Sequence, residues 1–232
     1  MSTDFDRLSS SKHAWQVGED LASHTLLKDR AERTVRAYVR LLLEVAGPQA
    51  LVGSAIELGA GAGFATAAFR VAGVDMIASE HTEEGLALLG RMNPSLPLRL
   101  DSVTTFYEPE RYSLLVAREL YPFTRINAFT EQAACIGRLI DSLVPGGALL
   151  LVESDVSAPH CLDMRLLKRT LQTDARVARV SGPWLEALQL HGGAMMGNQL
   201  CRMLVHAVMA PYVRWRKSRG WAAIGVLVIV KR

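Results

Sequence analysis

Short apolar runs alternate with stretches of helical periodicity along most of this chain. Val35, Tyr38, Val39, Leu42 and Leu43 recur at helical spacing and predict an amphipathic helix over residues 26–46, its apolar stripe turned to a core. Ala55-Ile56-Glu57-Leu58 reads as the end of a buried strand, followed by a helix from Phe64 to about Ala72. A second strand covers Val74–Glu80. Thr82-Glu83-Glu84 then cap and charge a helix running to about Met92. Further strands are predicted at Pro97–Asp101, Tyr112–Ala117 and Ala148–Glu153, with a helix from about Asn127 to Leu143 between the last two. Arg202–Met209 and Trp221–Val230 both read as strands, joined by a hairpin through the basic stretch Arg214–Arg219. Strands alternating with helices favour a parallel sheet with crossover helices.

The junction after the first strand carries the chemistry: Glu57-Leu58-Gly59-Ala60-Gly61-Ala62-Gly63. Glycines at alternate positions let the backbone approach a ligand and adopt dihedrals that a β-carbon forbids. The helix start adds unpaired N–H groups at the positive end of its dipole. Such a turn suits a nucleotide-like cofactor. The nicotinamide and flavin fingerprint G-x-G-x-x-G/A needs a small sixth residue for tight helix–strand packing. Counted from Gly59 that residue is Phe64, and from Gly61 it is Thr66; both are too large. The third glycine comes one residue early, and an acid before the turn suits a cationic ligand better than a pyrophosphate. Glu80 ends the second strand, where an acid can take both ribose hydroxyls, and Asp101 ends the third.

The segment resembles the E/D-x-G-x-G-x-G pattern of class I S-adenosylmethionine-dependent methyltransferases in every position. Val144-Pro145-Gly146-Gly147 and the apolar run after it resemble the family's L-x-P-G-G segment, so the likeness covers about residues 55–153. The resemblance implies a Rossmann-like, seven-stranded, mostly parallel sheet with helices on both faces and a C-terminal antiparallel strand. It implies S-adenosyl-L-methionine as cofactor, with Gly59, Ala60, Gly61 and Gly63 against its methionine part and Glu57 at the turn and ammonium end. It gives Glu80 the ribose and Asp101 the adenine amino group; His81, Ser102 and Arg118 adjoin these positions and join the candidate cofactor contacts. The loop after the fourth strand faces the transferred methyl in this fold. Glu119 is therefore the candidate for orienting or deprotonating the acceptor, Tyr121 for shaping its pocket, and His160 is an outlying candidate base. Residues 1–50 are expected to form a helical segment and lid, and residues 51–232 the methyltransferase domain.

Composition adds bounds. The 232 residues suffice for one α/β core, and with half of them hydrophobic and 21% charged the chain is no disordered linker. The longest apolar stretch, Ala222–Val230, is too short for a membrane helix, and no basic-then-apolar leader opens the chain, so a cytoplasmic protein without a membrane partner is expected. Cys135, Cys161 and Cys201 make no metal pattern, nor do the six histidines. The loop after strand four lacks the N/D-P-P-Y/F signature of nucleic-acid adenine and protein-glutamine methyltransferases, and the paired glutamates of arginine methyltransferases. A small-molecule acceptor, as in specialised metabolism, is therefore the expectation. RNA or protein gripped by Arg214–Arg219 and a non-catalytic cofactor-binding partner subunit are the alternatives, and a homodimer is left open.

Overall fold

The computed structural model of the chain describes residues 21–121, 123–124, 128–154, 162–186, 199–218 and 224–232. Its elements run α1 (Leu21–Val45), a short 3-10 turn (Pro48–Leu51), β1 (Ser54–Leu58), α2 (Phe64–Val71), β2 (Asp75–Glu80), α3 (Glu83–Met92), β3 (Leu98–Leu100), β4 (Tyr112–Arg118) and α4 (Phe129–Asp141). Then follow β5 (Leu143–Ser154), α5 (Met164–Gln172), β6 (Val177–Leu185), α6 (Gln199–Ser218) and β7 (Ile224–Lys231). The seven strands form one sheet in the order β3-β2-β1-β4-β5-β7-β6. The first five in that order pair in parallel, and β7 lies antiparallel between β5 and β6.

Successive strand residues point to opposite faces, so each strand feeds two cores. Ile56, Leu58, Leu115, Leu149, Leu151 and Ile229 face one side, where Ile136, Leu139 and Leu167 of α4 and α5 cover them. Ala55, Leu114, Val116, Leu150 and Val228 face the other, under Tyr38 and Leu42 of α1 and Phe69 of α2. Both faces are covered, which is why β1 and β4 read as near-continuous apolar runs rather than alternating ones. The buried stripe of α1 is Val35, Tyr38, Leu41, Leu42 and Val45, whereas Leu43, expected inside, faces solvent. Thr82 caps α3 as expected, its hydroxyl accepting the Gly85 N–H at 3.0 Å.

Three expectations are corrected. Arg202–Met209 is helix, not strand: Arg202, Val205, His206 and Met209 turn inward at helical spacing, while Leu200, Met203, Leu204 and Val208 are exposed. The basic stretch from Arg214 therefore ends a helix instead of joining two strands. Its side chains, and residues 219–223, lie outside the described part. The antiparallel partner of β7 is β6, in a stretch where no strand is predicted from the sequence. The fifth strand begins before the predicted Ala148: Val144-Pro145-Gly146-Gly147 is an irregular start to β5, where the pairing register with β4 shifts. A β-carbon at Gly147 would lie 2.9 Å from the Val144 carbonyl oxygen and 3.0 Å from that of Tyr112, so only glycine allows this approach. No helix among the described residues is long and apolar enough to cross a membrane.

Candidate cofactor and acceptor site

Beyond the carboxyl end of β1 the chain turns sharply. Gly59, Gly61 and Gly63 have φ of 64°, 58° and 77°, values in which a side chain is strained. The space around them differs. A β-carbon at Gly59 would come 2.3 Å from Leu120 Cδ2 and one at Gly63 2.4 Å from Leu89 Cδ1, but one at Gly61 would meet no described residue beyond its chain neighbours within 4 Å. The outer glycines are closed in by the protein, and the middle one borders open space. The turn is also tied down. Ala60 N–H donates to the Ser79 carbonyl at 2.8 Å, Gly61 N–H to Glu80 Oε1 at 2.6 Å, and Asn93 Nδ2 to the Ala62 carbonyl at 2.6 Å.

Parallel pairing brings the strand-end acids to one edge. Glu57, 2% exposed, accepts the Thr66 hydroxyl at 2.6 Å. Burial raises its pKa above the ordinary carboxylate value, with Arg118 and Thr66 opposing. Glu80, 1% exposed, holds Gly61 N–H with one oxygen; its other oxygen lies 3.3 Å from His81 N and 3.4 Å from His81 Nδ1. Asp101 follows β3 directly, and its N–H donates to the Glu80 carbonyl at 2.8 Å. Its carboxylate pairs with Arg99 Nε at 2.7 Å, and Arg99 also binds Glu108 and Tyr112. Burial raises the Asp101 pKa against the pull of Arg99. Ser102 Oγ lies 2.8 Å from Thr104 Oγ1. The turn, Glu57, Glu80 and His81 thus form one cluster; Asp101 is joined to Glu80 through its backbone, whereas its carboxylate and the Ser102 hydroxyl have local partners.

The end of β4 adds a second cluster. Arg118 lies over the Tyr38 ring at 5.8 Å, and Tyr38 OH donates to Glu186 Oε1 just past β6. Burial disfavours the charge on Arg118, but Tyr38, Glu57, Glu186 and Glu119 together hold its pKa above the usual arginine range. Burial, reinforced by Glu186 and opposed by Arg118, likewise raises the Tyr38 phenol. Glu119 takes the left-handed conformation at φ 47°, uncommon for a non-glycine residue, and its N–H donates to the Val152 carbonyl at 2.7 Å. Its side chain is exposed, and Tyr121 is half-buried beside it. His160 and residues 1–20 of the segment expected as a lid lie outside the described residues.

Sequence reasoning missed Tyr38, Glu186 and Glu153 as members of this edge. Tyr38 stood on the predicted inward stripe, where its hydroxyl was the one polar tip and so the available signal. Glu153 is the penultimate residue of β5, as Glu57 is of β1, and Glu80 closes β2, so the strand-end rule applies to it equally. Nothing local marks Glu186. Among the described residues no three His, Cys, Asp or Glu side chains gather to hold a metal ion.

No sequence-family model matches the chain, and no curated protein matches it in sequence. Solved structures do match in fold. The N-methyltransferase NodS from Bradyrhizobium japonicum, in complex with S-adenosylhomocysteine, superposes with TM-score 0.52 at 13% identity, over 84% of this chain and 85% of that one. Phosphoethanolamine N-methyltransferase 2 from Haemonchus contortus, in complex with S-adenosylmethionine, gives 0.55 at 10% identity, over 84% of this chain and 52% of that one. DesVI from Streptomyces venezuelae gives 0.45 at 18% identity, over 60% of this chain and 63% of that one. The chain spans less than two thirds of the length of the last two proteins.

Proposed function

We propose, from the premise that this chain has the class I S-adenosylmethionine-dependent methyltransferase fold, that it binds S-adenosylmethionine and transfers the methyl group to a small molecule. The observation that carries the reading is the open space bordering Gly61, between closed-in glycines and beside the buried acids Glu57 and Glu80. A ligand with a sulfonium, an ammonium and ribose hydroxyls suits that edge: the turn lies against the methionine part, Glu57 faces the ammonium, and Glu80 takes the ribose. Asp101 and Ser102 bound the adenine end, with Arg118 and His81 flanking. When bound, the cofactor supplies an electrophilic methyl group on a positively charged sulfur.

Methyl transfer is an in-line displacement. The acceptor's lone pair forms the new bond to carbon while the carbon–sulfur pair leaves with sulfur, so the protein's part is to orient the acceptor and exclude water. Glu119, held by its backbone to β5 and exposed at the edge, orients an acceptor group or takes its proton, and Tyr121 shapes the pocket wall. Support for a small nitrogen acceptor comes from the names of the NodS and Haemonchus enzymes, both N-methyltransferases. The test is incubation of the protein with methyl-labelled S-adenosylmethionine and panels of small amines, hydroxyl compounds, RNA and proteins. Label transferred to a small molecule is expected; transfer confined to RNA or protein, or to nothing, contradicts the proposal.

A further inference from the structure

Glu153 is the penultimate residue of β5 and 1% exposed, and no role in the cofactor edge has been assigned to it. Its Oε1 accepts the Leu120 N–H at 3.1 Å, and its Oε2 is buried without a hydrogen-bond partner. One residue earlier in each segment, Glu119 N–H donates to the Val152 carbonyl at 2.7 Å. The loop after β4 is therefore fastened to the end of β5 at two successive positions, one through backbone and one through this side chain. On its other side, the Leu120 side chain occupies the space against Gly59, where a β-carbon would come within 2.3 Å of Leu120 Cδ2. Glu153, Leu120 and Gly59 thus form a continuous physical chain from β5 to the glycine turn.

We propose that Glu153 is a positioning residue that latches the loop after β4 against the glycine turn, so that Glu119, Tyr121 and the cofactor site keep a fixed relation. The functional part of this inference rests on the methyltransferase reading above. The latch acts as a neutral carboxylic acid. Burial is the dominant influence and raises its pKa well above the usual carboxylate range. Glu119 adds to the rise, while the Leu120 N–H and Arg118 oppose it. Among the described residues Glu119 and Arg118 are the charged groups that act on it, and β7 opposes it with Gly225, which brings no side chain. Keeping the proton lets Oε1 accept from Leu120 without placing an uncompensated charge in the core.

Glu153→Gln keeps the accepting oxygen and the neutrality, whereas Glu153→Met keeps the volume and loses the acceptor. Amide hydrogen exchange on the full chain, followed at Leu120, should give protection like the parent's in the Gln variant and about tenfold faster exchange in the Met variant, the scale of one lost hydrogen bond. Calorimetry with S-adenosylhomocysteine should show a several-fold weaker Kd for the Met variant and rescue by Gln. Parental protection at Leu120 in the Met variant, or exchange as fast in Gln as in Met, overturns the latch. Urea titrations of the parent and Gln variant between about pH 5 and 8 give a second check. The folded parent retains a proton that the unfolded chain loses near about pH 4.3. Its stability relative to Gln must therefore fall as pH rises, and a flat difference overturns the neutral latch. A parent that binds no S-adenosylhomocysteine refutes the methyltransferase reading and the latch's role at the cofactor site, whereas the Leu120 exchange tests the contact by itself.

Discussion

Replacing Glu80 separates two roles that one carboxylate performs. In the free protein its Oε1 takes the Gly61 N–H at 2.6 Å, a short charge-assisted bond in a nearly waterless setting. Bonds to a charged acceptor contribute about 1.5–3 kcal/mol each. For a domain of this size about 1 kcal/mol shifts Tm by roughly 2–4 °C, so Glu80→Ala should melt about 3–12 °C below the parent without ligand. If the carboxylate also takes the ribose hydroxyls, a further loss of about 1.5–3 kcal/mol falls on binding, which is roughly ten- to hundredfold in Kd for S-adenosylhomocysteine. Glu80→Gln divides these effects. Its amide oxygen still accepts from Gly61, so Tm should stay within about 4 °C of the parent. Its NH2 group cannot accept from a hydroxyl and faces the His81 N–H, so much of the affinity loss should remain. Differential scanning calorimetry and isothermal titration of both variants decide the matter. A Gln variant that binds within about threefold of the parent would refute the ribose role and leave Glu80 as the clamp of the turn.

Gly61→Val should fold, since no described residue beyond its chain neighbours lies within 4 Å of the new β-carbon, at a strain cost of about 1–3 kcal/mol from φ 58°. It should abolish cofactor binding in calorimetry, and retained binding would show that the ligand does not enter that space. Glu119→Gln and Tyr121→Phe should leave cofactor Kd within a few-fold but lower turnover of an identified acceptor. The loss is about 10²-fold or more if Glu119 is the general base, smaller and partly in the acceptor's KM if it only orients; full activity in Glu119→Gln removes it from the mechanism. Glu57 has a raised pKa through burial, so the folded state keeps a proton that the unfolded chain releases. The stability of the parent relative to Glu57→Gln should be greatest at acid pH and fall as pH rises through the folded pKa; denaturant titrations showing no pH dependence would contradict this.

The glycine turn and the acids at three successive strand ends were legible because each rests on local chemistry: alternate glycines with left-handed dihedrals, and strand ends that a parallel sheet brings to one edge. The helix at Gln199–Ser218 was not, because its inward stripe is led by Arg202. That side chain is buried through an ion pair with Glu44 of α1 and lies 5.0 Å from the Trp184 ring centre. With apolar residues outside and an arginine inside, the hydrophobic period that marks a helix is inverted. β6 was hidden for a related reason: its Val177–Leu185 alternation is interrupted by two register shifts against β7. The Tyr38–Glu186 contact joins residues far apart in sequence, and only the folded sheet edge brings them together. Arg118 was expected among the cofactor contacts and closes β4, but its surroundings of Tyr38, Glu57 and Glu186 were not legible.

Isothermal titration of the full chain with S-adenosylmethionine, S-adenosylhomocysteine and NAD tests the central claim most directly. An early third glycine, Phe64 in place of a small residue and buried acids beside the turn all favour a cationic sulfonium ligand over a pyrophosphate. Saturable one-site binding of the adenosylmethionine pair with no heat from NAD is the predicted result. NAD binding without S-adenosylmethionine binding, or no binding of either, would contradict the account.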